Sequence, residues 1–377
     1  MNAVEFYPGI KWDYPPALST VRPADLPDAF LQRLQISYRR QMELVDFGSS
    51  FWKQFAEKNA DVDRILSSGD LRAVGNLAAN PAATNMFWGF DATAADAVAP
   101  YFEDPEGLRA SHVDAVCDRI LRLAVATGAI RIEYPEASLD APNLRDLDHA
   151  LDAVAKKTGA LRFPNPFPHE IGVATSRGIV SYRPLQAIYQ AFRLRELAQT
   201  FGGRVVEIGG GLGRTAYYAR QFGIRDYTLI DIPISATAQA IFLAYTLGPD
   251  AITLPGEPHR NNTVRIETPA WFYVAQEAFD IALNADSMVE MDADHANRYV
   301  AVISKTCSCF LSINHEFNPF RVCDLPAAQE LKVSRYPYWM RKGYAEELYE
   351  PGGMRRRVKS RLSRVKSRLK RIARPFS

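Results

Sequence analysis

The chain has 377 residues, 47% of them hydrophobic and 23% charged, which is the balance of a globular protein long enough for two domains. No apolar run approaches the ~18 residues that a membrane span needs. The first residues carry an acid and prolines where a signal peptide has basic and then apolar residues, so we expect a cytoplasmic protein. Four cysteines are too few for a disulfide framework.

The net charge of +2 conceals two parts of opposite sign. Eleven of the 45 Lys and Arg residues follow Met354, and no acid accompanies them. The rest of the chain holds all 43 acidic residues and has a net charge near −9. An acidic globular body joined to a basic tail needs two separate explanations.

The first part of the chain is predicted to be mainly helical. Apolar residues three and four positions apart predict helices over Ala29–Phe55 and around 113–125, and a third is predicted over Asn143–Lys157. Three prolines between 164 and 168 then favour an extended connection, because proline fixes φ and lacks an amide hydrogen. We therefore place the end of this N-terminal region, 1–180, shortly after the prolines.

From residue 181 onward, short strands alternate with helices. A helix over Tyr182–Phe201 comes first and ends at Gly202. The predicted strands are Val205–Ile208, Tyr227–Ile230, Ile252–Leu254, Val264–Ile266, Phe279–Leu283 and Cys309–Ile313, and the helices are Arg214–Phe222, Ser235–Leu247 and Ala293–Ser304. This alternation predicts a doubly wound α/β domain over 181–350, with a parallel sheet and helices on both faces.

Four glycines in five positions, Gly209, Gly210, Gly211 and Gly213, separate the first strand from its helix. Ligands of doubly wound sheets bind at the carboxyl ends of the strands, where glycine allows a tight turn and a close approach of the main chain. The dinucleotide fingerprint G-x-G-x-x-G fails when begun at Gly209, because Arg214 occupies its last glycine position. Begun at Gly211, it gives only a weak match.

The stretch E-I-G-G-G-L-G resembles the first motif of the class I S-adenosylmethionine-dependent methyltransferases. The resemblance implies that the loop holds the methionine and ribose part of S-adenosylmethionine, and that Glu207 places its amino group. Asp231 ends the second strand, with Ile232 beside it, and a carboxylate there can accept both ribose hydroxyls. A nicotinamide cofactor would use the same acid, so Asp231 alone indicates only a nucleoside.

A second stretch, N-A-D-S-M-V-E-M, resembles a motif of the sugar O-methyltransferase family, with matches at Asn284, Ser287, Glu290 and Met291. The resemblance extends over roughly residues 180–350 and includes L-S-I-N-H-E-F, where Asn314 matches. It implies a Rossmann-like methyltransferase sheet and adds Asn284, Ala285 and Ser287 to the cofactor site. The implied acceptor is a sugar hydroxyl, in the biosynthesis of a glycan, a polysaccharide or a glycosylated natural product.

Methyl transfer to a hydroxyl is helped by a base that removes the hydroxyl proton. We expect His315 to be that base, because histidine titrates near neutrality, with Asp286 and Glu290 as further catalytic candidates. The alternative is that His315 has a structural role and caps the end of its strand. The alternative role for the acids is to hold a divalent metal such as Mg²⁺ that lowers the pKa of the hydroxyl.

Two further groups have structural and functional interpretations. Cys307, Cys309 and Cys323 can be combined with His315 into a zinc site, but we favour cysteines that belong to the core. His169 and Glu170 either reach the site from a lid or lie in a solvated loop, and we favour the loop.

The basic tail, 351–377, contains R-V-K-S-R-L-S followed at once by R-V-K-S-R-L-K. An apolar stripe runs along an otherwise basic helix and consists of Val358, Leu362, Val365, Leu369 and Ile372. This pattern predicts that 354–377 binds an anionic membrane surface, at the inner face of the cell membrane. A short coiled coil, contact with nucleic acid and a solvated disordered tail are the alternatives, although we expect no specific nucleic acid.

These observations predict a cytoplasmic S-adenosylmethionine-dependent O-methyltransferase that acts on a sugar. The alternative enzyme is an NAD(P)-dependent oxidoreductase on a Rossmann fold. The alternative from another class is a non-catalytic scaffold that binds membrane or RNA through its tail.

Overall fold

The computed structural model describes residues 14–45, 51–89, 103–130, 146–159, 161–275 and 277–351. Within these ranges the α-helices are α1 Asp28–Met42, α2 Phe51–Lys58, α3 Ala60–Ser68, α4 Leu71–Ala79, α5 Pro105–Ala126, α6 Leu147–Thr158, α7 Tyr182–Phe201, α8 Arg214–Gln221, α9 Pro233–Leu247, α10 Pro269–Ala275 and α11 Ala293–Thr306. The strands are β1 Pro16–Leu18, β2 Ile171–Thr175, β3 Gly178–Val180, β4 Arg204–Ile208, β5 Asp226–Ile230, β6 Ile252–Thr253, β7 Val264–Glu267, β8 Phe279–Ala285, β9 Cys307–His315, β10 Leu331–Pro337 and β11 Tyr344–Pro351. The apolar stripe of the basic tail lies outside the described residues, so membrane binding by 354–377 stays a prediction.

The N-terminal region is mainly helical, as predicted. Asp70, Asp104 and Asp146 accept main-chain hydrogen bonds at the starts of α4, α5 and α6, as favoured N-cap residues do. The single helix predicted over Ala29–Phe55 is wrong, because α1 ends at Met42 and α2 begins at Phe51. The intervening sequence contains a glycine and two serines, which are weaker helix formers than alanine or leucine.

A three-stranded antiparallel sheet, in the order β1-β2-β3, accompanies the N-terminal helices. Sequence reasoning did not find it. The strand β1 has only three residues, and its partner β2 lies about 150 positions further along the chain, where Pro16 faces Val173. Because the two strands are so far apart in the sequence, no periodic pattern within a short stretch of the chain reveals that they pair.

The central sheet confirms the predicted doubly wound α/β fold. Its strand order is β10-β11-β9-β8-β4-β5-β7-β6. The strands from β9 through β8, β4, β5 and β7 to β6 are parallel, whereas β11 runs antiparallel to both β9 and β10. Since β5 and β8 flank β4 on opposite sides, the chain reverses its direction of winding at β4, which is where ligands of such sheets bind.

Helices cover both faces of this sheet. On one face, side chains such as Val205 and Leu283 join the apolar core of α7, α8 and α9, which continues into the N-terminal helices. On the other face, Val206 and Ala282 pack with Phe272 of α10 and the apolar side of α11. Among the helices within the described ranges, none is long and apolar enough to span a membrane.

A buried ion pair links the proline-rich connection to the start of α8. Arg214 Nη2 lies 3.0 Å from Glu170 Oε1, and the two side chains are 5% and 0% exposed. Ser181 Oγ donates to the same carboxylate oxygen at 2.6 Å. The expectation of a solvated loop at Glu170 is therefore wrong, because an arginine about 44 positions away needs this carboxylate as its partner. The predicted domain boundary after residue 180 stays a prediction.

We expect Glu170→Gln to lower the free energy of unfolding by about 3 kcal/mol, because it removes the negative charge that is paired with the buried Arg214. Asp152→Asn is the matched control, since it breaks the Asp152–Arg177 pair at a carboxylate that is 54% exposed. Surface pairs contribute little, so the control should unfold close to the wild type. Urea denaturation measures both variants, and equal losses would contradict the role of this buried pair.

Candidate cofactor cleft and active site

A cleft opens at the carboxyl ends of β4, β5 and β8. We call the part lined by the glycine loop, Glu207 and Glu290 the polar half. The part lined by Ile232, Pro269 and Tyr273 is the apolar half. Gly209, Asp231, Ser287 and Trp52 border both halves, so the two form one continuous site.

The glycine loop has a conformation that side chains would prevent. Gly209, Gly211 and Gly213 have φ values of +70°, +55° and +80°. A Cβ on Gly209 would lie 2.0 Å from Ser287 Oγ, and one on Gly210 would lie 2.5 Å from Leu229 Cδ2. Gly209 is required both for its left-handed backbone and for space, Gly211 and Gly213 for their left-handed backbone, and Gly210 for space.

Polar side chains on β8, just after it and on β9 hold the glycine loop in place. Asn284 Nδ2 donates to the carbonyl oxygen of Ile208 at 2.9 Å, and Ser287 Oγ donates to the same oxygen at 3.1 Å. Asn314 Nδ2 in turn donates to Asn284 Oδ1 at 3.0 Å. Asn284 is fully buried in this network, so the structure places it under the loop, whereas Ala285 and Ser287 line the cleft.

Glu207 is a buried carboxylate at the end of β4. It is 2% exposed, and Tyr227 Oη donates to its Oε2 at 2.7 Å. Burial raises the pKa of Glu207 to about 7, and the negative charge of Asp231 adds to the rise. Among the described residues no basic side chain contributes to this pKa, so a positive ligand group in the polar half would favour the charged carboxylate.

Asp231 ends β5 and borders both halves of the cleft. Its Oδ1 accepts from the Ile232 amide at 2.9 Å, and its Oδ2 accepts from Gln239 Nε2 at 2.6 Å. Burial raises its pKa to about 7 despite these hydrogen bonds. Hydrogen bonds from the Gly210 amide and the Ser235 hydroxyl also lower this pKa, so donors from the glycine loop and from α9 orient the carboxylate.

The apolar half is a slot closed partly by the N-terminal helices. Its walls come from Ile232 after β5, from Thr268, Pro269 and Ala270 after β7, and from Tyr273. Additional lining residues from the N-terminal region are Gln41, Leu44, Val45 and Trp52. Such walls suit a flat, largely apolar group such as a nucleobase.

The outer end of the polar half carries a cluster of charges around Asp286. Arg341 Nη1 donates to Asp286 Oδ2 at 3.1 Å, and Arg183 Nη1 lies 3.7 Å from the same oxygen. Asp286 has a φ of +70°, an uncommon conformation for a residue other than glycine. Glu290 lies on the same rim and is exposed, yet the protein around it raises its pKa to about 7, with a further contribution from Asp286.

His315 does not belong to this arrangement. It is absent from the described residues that line either half of the cleft. Its Nδ1 accepts from the Phe317 amide at 3.2 Å, and its ring packs on Tyr344 with centroids 5.5 Å apart. The structure thus brings Asp286 and Glu290 together at the cleft and leaves His315 outside it, in the strand-end position that was the alternative expectation.

The metal interpretations gain no support from the geometry. Within the described residues no group of three or more His, Cys, Asp or Glu side chains is arranged to hold a metal ion. Cys307 and Cys309 are fully buried in the core of β9, and Cys323 is partly exposed. We therefore propose neither a Mg²⁺ site nor a zinc site.

Several cleft residues had no signal in the sequence. Trp52 and Trp88 come from the N-terminal helical region, Arg183 from the first turn of α7, and Arg341 from the turn between β10 and β11. Each is an ordinary residue of its own segment and reaches the site only through tertiary packing.

No protein-family model matches this sequence, and no curated protein matches it either. Among solved structures, it is similar to magnesium protoporphyrin IX methyltransferase from Synechocystis PCC 6803 with bound SAM, at 10% identity and a TM-score of 0.34, covering 45% of this chain and 78% of that one. It is also similar to mitomycin 7-O-methyltransferase, at 14% identity and a TM-score of 0.32, covering 69% of each chain. The ribosomal protein L11 methylase of Lactobacillus delbrueckii subsp. bulgaricus is a third, at 12% identity and 0.33, covering 44% and 78%. Likenesses this distant do not establish an activity.

The buried carboxylates predict how stability depends on pH. The pKa of Glu207 is higher in the folded protein than the ordinary 4.5, so the protonated form stabilises the fold. That stabilisation is complete below about pH 4 and is lost as pH rises through about 7. Glu207→Gln removes this titrating group but keeps an acceptor for Tyr227. Between pH 5 and 8 its free energy of unfolding should therefore fall less than that of the wild type, and the difference should be about 3 kcal/mol at most.

Urea denaturation at several pH values, without added ligand, measures this difference. Asp226→Asn is the control, because that carboxylate lies at the opposite, amino end of β5 with a 50% exposed side chain. Identical pH profiles for the wild type and Glu207→Gln would contradict a raised pKa at Glu207.

Proposed function

We propose that the protein is an S-adenosylmethionine-dependent O-methyltransferase. The observation that carries the proposal is the pairing of two buried carboxylates, Glu207 and Asp231, with a glycine loop and an apolar slot in one cleft. S-adenosylmethionine has an ammonium group, a ribose with two neighbouring hydroxyls and a flat base. The cleft offers a carboxylate for the first, a carboxylate for the second and apolar walls for the third.

The same residues argue against a dinucleotide. A pyrophosphate at the glycine loop would come close to Glu207, and two like charges in a buried site repel strongly. A phosphate site at a helix start uses exposed main-chain amides and positive charge. Here the arginine at the start of α8, Arg214, is already paired with Glu170.

The residues present fit the cofactor in the following way. Glu207 and the glycine loop would hold the amino-acid part, and Asp231 would accept the ribose hydroxyls. Ile232, Pro269 and Tyr273 would contact the base. When bound, S-adenosylmethionine supplies a methyl group on a positively charged sulfur that a hydroxyl oxygen can attack.

Glu290 is the residue of this cleft best suited to take the hydroxyl proton. A general base works best when its pKa lies near the working pH, and the pKa of Glu290 is raised to about 7. Asp286 is less suited, since Arg341 and Arg183 already contact its carboxylate. We assign Asp286 to orienting the acceptor through its carboxylate, and Glu290 to proton removal while the acceptor oxygen gains the methyl group.

A sugar hydroxyl is our proposed acceptor, and the resemblance around Asn284–Met291 is its main support. The rim also provides what a sugar requires. Carboxylates at Asp286 and Glu290 can accept hydrogen bonds from hydroxyls. The tryptophans Trp52 and Trp88 offer apolar surface beside them for the carbon–hydrogen face of a sugar ring.

Calorimetry with S-adenosylhomocysteine, S-adenosylmethionine and NAD tests the cofactor. We expect both adenosyl compounds to bind and NAD not to bind at comparable concentrations. Asp231→Ala should weaken both by ~10–100-fold, since a hydrogen bond to a charged group contributes about 1.5–3 kcal/mol. Asp226→Ala, at the opposite, amino end of β5 with a 50% exposed side chain, is the control and should leave the affinity unchanged. NAD binding in place of the adenosyl compounds would contradict the proposal.

Glu290→Gln should lower kcat by ~10²–10⁴-fold with little change in S-adenosylhomocysteine affinity, because it removes the base and keeps the shape. In the wild type, kcat should rise with pH through about 7 as Glu290 loses its proton, and this rise should be absent in the variant. His315→Ala is the control, and its activity should stay within a few-fold of the wild type. A large loss in His315→Ala together with a small one in Glu290→Gln would restore histidine as the base.

A further inference from the structure

An open depression on the surface adjoins the rim of the polar half. It is lined by 289–293, which connect β8 to the start of α11, and by 318–320, in the connection between β9 and β10. We call this depression the outer ledge. Glu290 lines both the outer ledge and the polar half, so the two meet at the carboxylate that we assign to proton removal. A molecule that places a hydroxyl at Glu290 can therefore extend onto the outer ledge.

The outer ledge is mostly apolar. Five of the eight described residues that line it have apolar side chains, namely Val289, Met291, Ala293, Pro319 and Phe320. Val289 belongs to the apolar core on this side of the sheet, and Phe320 packs against that core. The outer ledge is therefore held in place before a ligand arrives. A polar reaction site that continues into an apolar surface suits a ligand with one polar and one apolar part.

Phe317 and Asn318 add two features that a ligand would use. The Phe317 side chain is 97% exposed, which is the highest exposure among the large hydrophobic side chains that the structure describes. An apolar ligand that covers this ring removes apolar surface from water. Asn318 lines the outer ledge itself, and its Nδ2 is buried without a hydrogen-bond acceptor in the described part of the chain. A buried donor of this kind is costly, and an ether or carbonyl oxygen of a bound ligand would satisfy it.

We infer that the outer ledge binds an apolar group attached to the acceptor sugar, so that the substrate is a glycoside with an apolar aglycone and not a free sugar. This inference rests on the proposed function, since it names the substrate class of the same cleft. The sugar would lie between Asp286 and Glu290, with the apolar group beyond Glu290 against Pro319 and Phe320. Contact with the outer ledge would hold the sugar hydroxyl at the carboxylate that removes its proton.

The test is calorimetry on the full chain with methyl, octyl and 1-naphthyl β-D-glucosides as probes, which share one sugar and differ in the aglycone. We expect the octyl or the naphthyl glucoside to bind ~10-fold or more tightly than the methyl glucoside, because its aglycone leaves water on binding. Preference for the naphthyl compound would indicate an aromatic aglycone, and preference for the octyl compound a lipid. Equal affinities for the three glucosides, or no binding of any of them at millimolar concentration, would overturn the inference.

Two variants change the outer ledge from its two sides. Ala293→Glu places a charge on it, and the fold should tolerate the change because Ala293 is exposed at the start of α11, where an acid suits the helix dipole. Phe320→Ser removes an apolar wall, and circular dichroism checks that it folds. Both should reduce the preference for an apolar aglycone. Ile36→Ser is the matched control, at a 62% exposed residue of α1, and should keep it.

A preference that stays unchanged in both Ala293→Glu and Phe320→Ser would also overturn the inference, because the aglycone would then bind elsewhere. S-adenosylhomocysteine titrated into the same samples separates the two proposals. Binding of the nucleoside without a preference among the glucosides leaves the proposed function standing and overturns the role of the outer ledge. A preference that the variants abolish, without nucleoside binding, leaves only a glycoside site and contradicts the proposed function.

Discussion

The close contact between the main chain at Gly209 and the side chain of Ser287 determines the shape of the site. A Cβ at position 209 would lie 2.0 Å from Ser287 Oγ, so the chain can follow this path only with glycine. The Gly209 amide donates to the Ile230 carbonyl at 2.9 Å, while Asn284 and Ser287 both donate to the Ile208 carbonyl. The ends of β4, β5 and β8 are thereby tied together, and Glu207 and Asp231 are held beside one cleft.

This arrangement places the charged side chains of the cleft in two separate groups. The inner pair, Glu207 and Asp231, consists of acids whose pKa values are raised to about 7 because burial disfavours their charged forms. The outer group consists of Asp286 with Arg183 and Arg341 beside it. The proposed cofactor has a positive amino group, which matches the acidic inner end of the cleft.

The sequence was sufficient where the structure is local. The strands from Val205 to Ile313 and the helix over Tyr182–Phe201 were predicted to within two residues at each end, because short apolar runs and glycines at their ends mark them. The glycine loop and Asp231 were found for the same reason. Arg214, which excluded the dinucleotide fingerprint, was correctly read as a departure, although its burial with Glu170 was not foreseen.

The rest of the site depends on contacts between distant segments. The choice of His315 rested on the ordinary chemistry of histidine, but the strand end turns its ring towards Tyr344 and away from the lining of the cleft. The preference for Glu290 comes from its raised pKa, which the surrounding protein and the charge of Asp286 produce and which no motif encodes. Arg183 and Arg341, which both approach Asp286, come from distant parts of the chain. Only the folded chain brings such residues together.

A crystal structure of the protein with S-adenosylhomocysteine tests the central claim most directly. The account predicts the ribose hydroxyls at the Asp231 carboxylate, the base between Ile232 and Tyr273, and the amino group towards Glu207. Ligand bound elsewhere on the protein, or no bound ligand at a saturating concentration, would contradict it.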